Sequence, residues 1–227
     1  MSHPTSSPAA AAPLAAPFAA LAGLRLDGPA GVAGLDLTLG PGDVVHLHGP
    51  ADAGGAVLRA LVGLLRPSAG TARLHGQDPG ALPGRAANAL LARVGWLPRR
   101  GALLSNLTLR ENLLLPLEFH GVPDAPERVA AALRCFGLEE APDLRPELVP
   151  LPVQRRVALA RAVLLEPPLL LLDDPLDDLD EGSAAAIAWA LLGWVRQPGR
   201  ALLAASPDHT LSAALGARRH LLPVSRP

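Results

Sequence analysis

Four consecutive leucines, Leu169 to Leu172, limit the fold of this chain more than any other segment. They follow two prolines and end in paired aspartates. A continuous apolar run of this length between turn signals is typical of a strand buried on both faces of a parallel sheet. Helix-periodic sequence precedes it in VALARAVLLE and follows it over residues 183–196. Strands that alternate with helices predict an α/β domain with a mostly parallel sheet.

Other segments extend this alternation along the chain. Two short alternating runs between Phe18 and Leu39 predict an antiparallel hairpin. Prolines at 116 and 123 are expected to break the helices there, because proline lacks the N–H that a helix needs. The further predicted helices span residues 54–65, 81–92, 107–138 and 209–215, and the further predicted strands are VVHLHG, TARLHG, RVGWLP, ALLAAS and residues 220–224.

The segment from Val44 to Leu65 has the layout of a phosphate loop without its phosphate-binding side chains. A strand runs into Gly49, four residues intervene, and Gly54 is predicted to open a helix. The pattern G-x-x-x-x-G-K-[ST] has this spacing, but Gly55 and the alanine after it stand where lysine and a hydroxyl belong. The chain contains no lysine, since all 20 of its Lys+Arg residues are arginine.

The composition excludes several classes of protein. A hydrophobic content of 49% with 18% charged residues describes a packed domain rather than a disordered chain. A net charge of -1 gives no electrostatic reason to expect nucleic acid as a partner. No apolar run approaches the ~20 residues that a membrane-spanning helix needs. We therefore predict a globular chain that reaches a membrane only through a partner.

The first residues of the chain and its cysteine allow two further predictions. Residues 1–17 are Ala/Pro/Ser-rich without a basic start, which predicts a disordered tail rather than a signal peptide. Residues 18–227 are predicted to form a single domain. One cysteine, Cys135, excludes an internal disulfide and suits a reducing compartment. Its apolar neighbours in AALRCFGL predict a buried structural thiol.

From Phe18 to Val224, the order of segments resembles the ATPase domain of ATP-binding cassette (ABC) transporters. GPADAGGAVLRALVGLLRPSAGTARLHGQD is similar to the Walker A region, and VGWLPRRGALLSNLTLRENLLLPLEFHG to the Q-loop and the start of the helical subdomain. QRRVALARAVLLEPPLLLLDDPLDDLD is similar to the run from signature helix through Walker B to D-loop. The resemblance implies a P-loop NTPase (RecA-like) fold of class α/β. This fold has an N-terminal antiparallel β subdomain and a helical subdomain inserted at about residues 100–155.

The resemblance also assigns the Walker A loop. Its lysine would clamp the β- and γ-phosphates and its hydroxyl would bind Mg²⁺, and neither Gly55 nor Ala56 can do so. Loss of one charge-assisted hydrogen bond, about 1.5–3 kcal/mol, weakens binding roughly ten- to a hundredfold. Backbone amides at a helix N-terminus remain as anion donors. Arg59 is either a substitute cation or a surface residue. The loop positions are Gly49, Pro50, Ala51, Asp52, Ala53, Gly54, Gly55, Ala56 and Val57.

Three further family motifs lack their working residues. The Q-loop glutamine aligns with Arg99, and the switch histidine aligns with Pro207. The signature aligns with Val149 to Val153, where two prolines lack N–H groups that would bind an anion. His209, two residues after the switch position, is predicted to be solvated without a partner.

Walker B keeps the most chemistry. Asp173 stands at the Mg²⁺ position, and Asp174 replaces the catalytic glutamate with a side chain one methylene shorter. The acids that follow, Asp177 to Asp180, are either a solvated loop or a divalent-ion site. His46 and His48 are either packed strand histidines or two ligands of a metal site. Because ligands bind at the carboxyl ends of parallel strands, Gly49, Asp173 and Ser206 are expected to lie at one edge.

The resemblance implies an ABC transporter ATP-binding-type subunit with degenerate motifs. We expect it to bind ATP and Mg²⁺ weakly or not at all, and to dock on an integral membrane permease. It would pair as a homodimer, or as a heterodimer with another ABC ATPase, at the cytoplasmic face of the membrane. The alternatives are an active transport ATPase with unusual residues and a non-transport interaction module. SNLTLRENLLLPLEFHG is also similar to ATPase subunits of Mce-associated lipid transporters, which suggests lipid as cargo.

Overall fold

The computed structural model describes residues 16–224 except Ala30, Gly101, Ala141 and Asp178. Of the predicted disordered tail, residues 1–15 lie outside this range. None of the helices in the described residues combines the length and the apolar character that crossing a bilayer requires. The strands are β1 Ala19–Leu26, β2 Val32–Leu39, β3 Val44–His48, β4 Ala69–Leu74, β5 Val94–Leu97, β6 Leu169–Asp173, β7 Ala201–Ser206 and β8 Arg218–Leu221. The helices are α1 Ala51–Leu61, α2 Gly84–Leu91, α3 Leu109–Phe119, α4 Ala125–Cys135, α5 Leu151–Val163, α6 Glu181–Val195 and α7 Thr210–Leu215.

Two sheets organise the chain. Five parallel strands are arranged in the order β5-β6-β7-β3-β8, and an antiparallel sheet has the order β2-β1-β4. The predicted α/β class and the predicted N-terminal hairpin are therefore confirmed. In the parallel sheet His48 lies opposite Ser206, and Asp173 lies opposite Ala205. This register brings Gly49, Asp173 and Ser206 to one edge, as the sequence predicts.

Helices cover both faces of the parallel sheet and form a separate helical unit beside it. The four leucines of β6 are fully buried, because α1 packs on one face of the sheet and α5 and α6 pack on the other. The helical unit, defined as α3, α4 and the outward face of α5, has its own core. That core includes Leu109, Leu113, Leu117, Val129, Leu133 and Val157. The sheet edge and the helical unit thus meet along α5.

Helix α3 continues through Pro116, where the sequence predicts a break. A proline costs the helix one backbone hydrogen bond. Leu113 and Leu117, on either side of it, are fully buried in the core of the helical unit. A capping box between Thr108 and Glu111 also stabilises the first turn. Packing and capping therefore outweigh the missing bond, and the predicted break at 116 is wrong.

Cys135 is exposed, so the predicted buried thiol is wrong. The inward face of α4 is formed by Ala125, Val129 and Leu133. Cys135 comes two residues after Leu133, which places it about 200° further round a helix of 3.6 residues per turn. The apolar neighbours that suggested burial lie on the other side of α4.

The exposed thiol leads to a labelling prediction. In the native protein we expect Cys135 to react with one equivalent of a thiol reagent, at a rate within about tenfold of that in denaturant, because exposure governs access to the thiolate. Absorbance of the released thiol chromophore measures the rate. Cys135→Ser, which leaves no thiol in the chain, should give no signal. Reaction only after denaturant is added would contradict the exposed position.

Candidate functional site

Helix α1 begins inside the glycine loop, at Ala51 rather than at the predicted Gly54. The carbonyl of Pro50 accepts hydrogen bonds from the N–H groups of Ala53, at 3.0 Å, and Gly54, at 3.1 Å. These two amides are therefore bonded within the first helical turn instead of pointing at a ligand. The predicted start at Gly54 is therefore wrong, because the helix begins one residue after Pro50, which is its N-cap.

Helix α1 also ends before the predicted Leu65, at Leu61. Gly63 has a positive φ of 79°, which glycine adopts readily. The N–H of Leu64 then donates to the carbonyl of Arg59 at 2.9 Å, as in a Schellman cap. The glycine thus determines where the helix stops.

Gly54 and Gly55 allow α1 to approach the ends of β6 and β7 closely. A Cβ atom at Gly54 would lie 2.7 Å from the Cβ of Ala205. At Gly55 it would lie 2.6 Å from Asp173 Oδ2 and 3.2 Å from Arg59 Nη1. Any side chain at position 55 therefore requires the Asp173 carboxylate to move. The guanidinium of Arg59 lies beside the space where a side chain of residue 55 would begin.

Asp173 is a buried acid with incomplete hydrogen bonding. It is 6% exposed, and its Oδ1 has no hydrogen-bond partner among the described residues. Burial raises the pKa of Asp173 above its ordinary value, and nearby Arg59 opposes this effect. The charged form of this carboxylate is thus costly in the folded chain.

Asp174 is held by the end of β7. Its N–H donates to the carbonyl of Ala205 at 2.8 Å, and Ser206 Oγ donates to its Oδ1 at 2.8 Å. Burial raises the pKa of Asp174, whereas the hydrogen bond from Ser206 lowers it. Its backbone has a positive φ of 48°, which is uncommon for a residue other than glycine. The sequence predicts Ser206 at this edge but not its bond to Asp174.

Arg99, at the position of the family glutamine, is an ion-pair partner of the acids after β6. Its Nε donates to Asp177 Oδ2 at 2.8 Å and lies 3.7 Å from Asp174 Oδ2. The hydrogen bond to Asp177 raises the pKa of the Arg99 guanidinium. This position therefore carries a fixed positive charge directed at the acidic end of the strand.

Arg155 is a site residue that sequence reasoning missed. It is 6% exposed on α5, and it donates to the carbonyls of Pro98, at 3.1 Å, and Asp174, at 3.4 Å. The adjacent Arg156 donates to surface carbonyls of the helical unit instead. Nothing in the sequence QRR distinguishes the buried arginine from its neighbour, because the difference arises from the rotation of α5 against the sheet.

The segment aligned with the family signature is folded as the start of α5. The helix begins at Leu151, and the carbonyl of Pro150 accepts hydrogen bonds from Val153, at 3.0 Å, and Gln154, at 3.2 Å. Gln154 Nε2 donates in turn to the carbonyl of Val149 at 3.0 Å. The amide of Val153 is thus bonded within α5, and the amide of Val149 donates to the carbonyl of Pro146 at 3.3 Å.

Three histidines lie together at the carboxyl end of β3. His46 Nε2 pairs with the carbonyl of Ser206 at 3.0 Å, and burial lowers the pKa of His46. The ring of His209 is exposed, as predicted, and it lies tilted by 39° against the ring of His48, with centroids 4.1 Å apart. Across the described residues, no three His, Cys, Asp or Glu side chains are placed to hold a metal ion.

A cavity of about 420 Å³ opens at this edge between α1 and the end of β5. Its charged lining has both signs, and Trp96 forms an aromatic part of the wall. The charged residues that line it are Asp52, Arg59, Arg99, Arg100 and Asp173. Ala51 and Asp52 of the predicted Walker A loop thus line the same cavity as Asp173.

A strand, glycine turn and helix at the edge of a parallel sheet, next to a strand that ends in acids, define the P-loop nucleotide-binding class of fold. The ABC transporter family model matches residues 32–177, and the chain belongs to that family.

Relatives and solved structures agree with this assignment. The chain is 36% identical over 184 residues to the lipoprotein-releasing system ATP-binding protein LolD 1 of Rhodospirillum rubrum, covering 79% of this chain and 81% of the relative. It is 36% identical over 205 residues to the methionine import ATP-binding protein MetN 2 of Burkholderia mallei, covering 86% of this chain and 52% of the relative. The chain therefore spans about half the length of MetN 2.

The fold is similar to that of a solved dimeric ATP-binding cassette in a post-hydrolysis state bound to ADP and Pi. The TM-score is 0.80 at 23% identity, covering 92% of this chain and 97% of the other. This likeness confirms the predicted P-loop fold with its parallel sheet, antiparallel sheet and helices.

Proposed function

We propose that this chain is an ABC transporter subunit that docks on an integral membrane permease and contributes binding surface and coupling rather than ATP hydrolysis. It would act at the cytoplasmic face of the membrane, paired with a second copy or with another ABC ATPase. Its relatives are named as ATP-binding proteins of a release system and of an import system. The permease is the partner that such a subunit requires.

The closed first turn of α1 is the observation that carries this proposal. A phosphate loop binds its ligand with backbone amides that point into an open loop. Here the N–H groups of Ala53 and Gly54 donate to the carbonyl of Pro50. Binding a phosphate with the amides of Ala53 and Gly54 would have to break both bonds, and it would gain no lysine because Gly55 has no side chain.

The residues of the site do not fit a magnesium nucleotide. Ala56 has no hydroxyl to bind the metal, and Arg59 and Asp173 occupy the space where a side chain of residue 55 would extend. The carboxylates nearest to the metal position already face a guanidinium, since Arg99 lies 3.7 Å from Asp174. We therefore derive no hydrolytic step from this arrangement.

Calorimetry with Mg-ATP tests the proposal, on the purified chain and on its complex with the permease. We expect no saturable binding below about 1 mM, equivalent to less than about 4 kcal/mol of binding free energy. A complete ABC ATPase measured in the same buffer is the positive control. Gly55→Lys combined with Ala56→Ser should also bind weakly, because the new side chain meets Asp173.

Two results would overturn the proposal in different ways. A micromolar dissociation constant for Mg-ATP would show a working nucleotide site and would contradict the proposal that the chain does not hydrolyse ATP. Failure of the chain to co-purify with any integral membrane permease would favour the alternative of a non-transport interaction module.

A second candidate function is an active transport ATPase with a lipid-linked cargo. The two buried acids at the end of β6, Asp173 and Asp174, favour it, as does the similarity to relatives named for lipoprotein release. It requires an ATPase rate, in the complex, that disappears in both Asp173→Ala and Asp174→Ala. Absence of any rate above that of the double variant would exclude it.

A further inference from the structure

The segment that leads from β5 into the helical unit is held along its length by side chains. We name residues 98–104, of which 101 is not described, the entry segment. Two arginines of α5 and one asparagine of α3 donate to its carbonyls: Arg155 to Pro98, Arg161 to Ala102 and Asn112 to Leu104. The N–H of Leu104 also donates back to Asn112 Oδ1 at 2.8 Å. Side chains of α5 and α3 thus hold both ends of the entry segment by hydrogen bonds.

Arg99 extends from the entry segment in the opposite direction, towards the sheet edge. Its Nε donates to Asp177 Oδ2 at 2.8 Å, in the loop that follows β6. The Arg99 side chain is 32% exposed and that of Asp177 is 23% exposed, so solvent screens the pair only in part. Arg155 makes a second, buried link because it also donates to the carbonyl of Asp174. Arg99 and Arg155 therefore connect the entry segment and α5 with the loop at the end of β6.

The acidic side chains at the end of β6 explain why arginines are bound beside them. Asp173 and Asp174 are buried, and Asp177 adds a third carboxylate next to them. The cations from neighbouring elements are Arg59 on α1, Arg99 on the entry segment and Arg155 on α5. Each buried carboxylate is costly without a compensating charge. The chain supplies that charge from its own side chains.

We propose that Arg99 is a built-in latch, whose ion pair with Asp177 holds the entry segment and the helical unit against the sheet edge when no nucleotide is bound. The surface formed by α3 and α5 then keeps one orientation relative to the sheet. This inference rests on the proposed function. A subunit that docks without hydrolysing ATP needs a docking surface whose orientation does not depend on bound nucleotide.

Hydrogen–deuterium exchange measured by mass spectrometry tests the latch on the full chain. In the unaltered protein we expect slow exchange over the entry segment and α3 that is the same with and without Mg-ATP. Arg99→Ala and Asp177→Ala should each speed exchange there by about tenfold, the effect of one charge-assisted hydrogen bond. The double variant should add little to either single change, because both remove the same pair.

Arg100→Ala is the matched control, because Arg100 is adjacent and lines the same cavity but has no ion pair among the described residues. It should leave exchange unchanged, and peptides from β6 and β7 should be unaffected in every variant. Unchanged exchange in Arg99→Ala, or additive effects in the double variant, would overturn the latch. So would slow exchange that appears only with Mg-ATP. Calorimetry tests the proposed function separately. If the chain binds Mg-ATP tightly and exchange in the entry segment is the same with and without nucleotide, the proposed function is wrong but the latch is supported.

Discussion

Arg155→Met is expected to lower the free energy of unfolding by about 3 kcal/mol, the largest loss from any polar substitution at this site. The guanidinium is buried and donates to two carbonyls, of Pro98 and Asp174. Hydrogen bonds to a charged group contribute about 1.5–3 kcal/mol each, and the abandoned carbonyls stay buried. Methionine fills much of the space, so the loss reports the bonds rather than a cavity.

Chemical denaturation with urea, followed by circular dichroism, measures the change in the free energy of unfolding. In a separate thermal melt, the melting temperature should fall by roughly 6–12 °C, because 1 kcal/mol corresponds to about 2–4 °C in a chain of this size. Arg156→Met is the control, since Arg156 lies next in α5 and bonds carbonyls nearer the surface. It should cost about 1 kcal/mol. Equal losses in the two variants would contradict the assigned role of Arg155.

Asp173→Asn is expected to stabilise the chain at pH 7, because it removes a buried negative charge whose desolvation penalty of about 1–3 kcal/mol outweighs the attraction of Arg59. Asp173 is buried and its Oδ1 has no hydrogen-bond partner among the described residues. Asparagine has nearly the same shape without the charge.

The pH dependence of this gain follows from the raised pKa of Asp173. Between the ordinary value of 3.8 and the raised value, the folded chain binds more protons than the unfolded chain. Stability therefore falls as the pH rises through this window. The advantage of asparagine should be full above the folded pKa and vanish below about 3.8.

Thermal melts from pH 3 to 8 test this dependence, with Asp52→Asn as the control. Asp52 is exposed at the rim of the same cavity, so its substitution should change stability by less than about 0.5 kcal/mol. A destabilised Asp173→Asn variant at pH 7 would mean that Arg59 compensates the carboxylate fully.

The sequence predicted the fold well where local pattern and burial agree. The leucines of β6 are apolar at every position, and a run of this length between turn signals is typical of a strand covered on both faces. The positions of Asp173 and Ser206 follow from the same rule, because parallel strands end at a common edge. These predictions need no knowledge of how side chains from distant segments meet.

The predictions failed where rotation or distant contacts decide the outcome. Cys135 is exposed because of its angle on α4, and Arg155 is buried because of the rotation of α5. The partner of Arg99 is 78 residues away, and the sequence gives no distance between them. Helix α1 begins earlier than predicted, and the carbonyl of Pro50 accepts hydrogen bonds from the N–H groups of Ala53 and Gly54.

The close packing of α1 has a consequence for how such chains are classified. Gly54 has no room for a side chain because of Ala205, a contact that exists without any nucleotide. Packing alone is therefore a sufficient reason for glycine at this position. The glycine spacing of this segment thus reflects how near α1 lies to its sheet, and that spacing by itself is not evidence that a chain uses ATP.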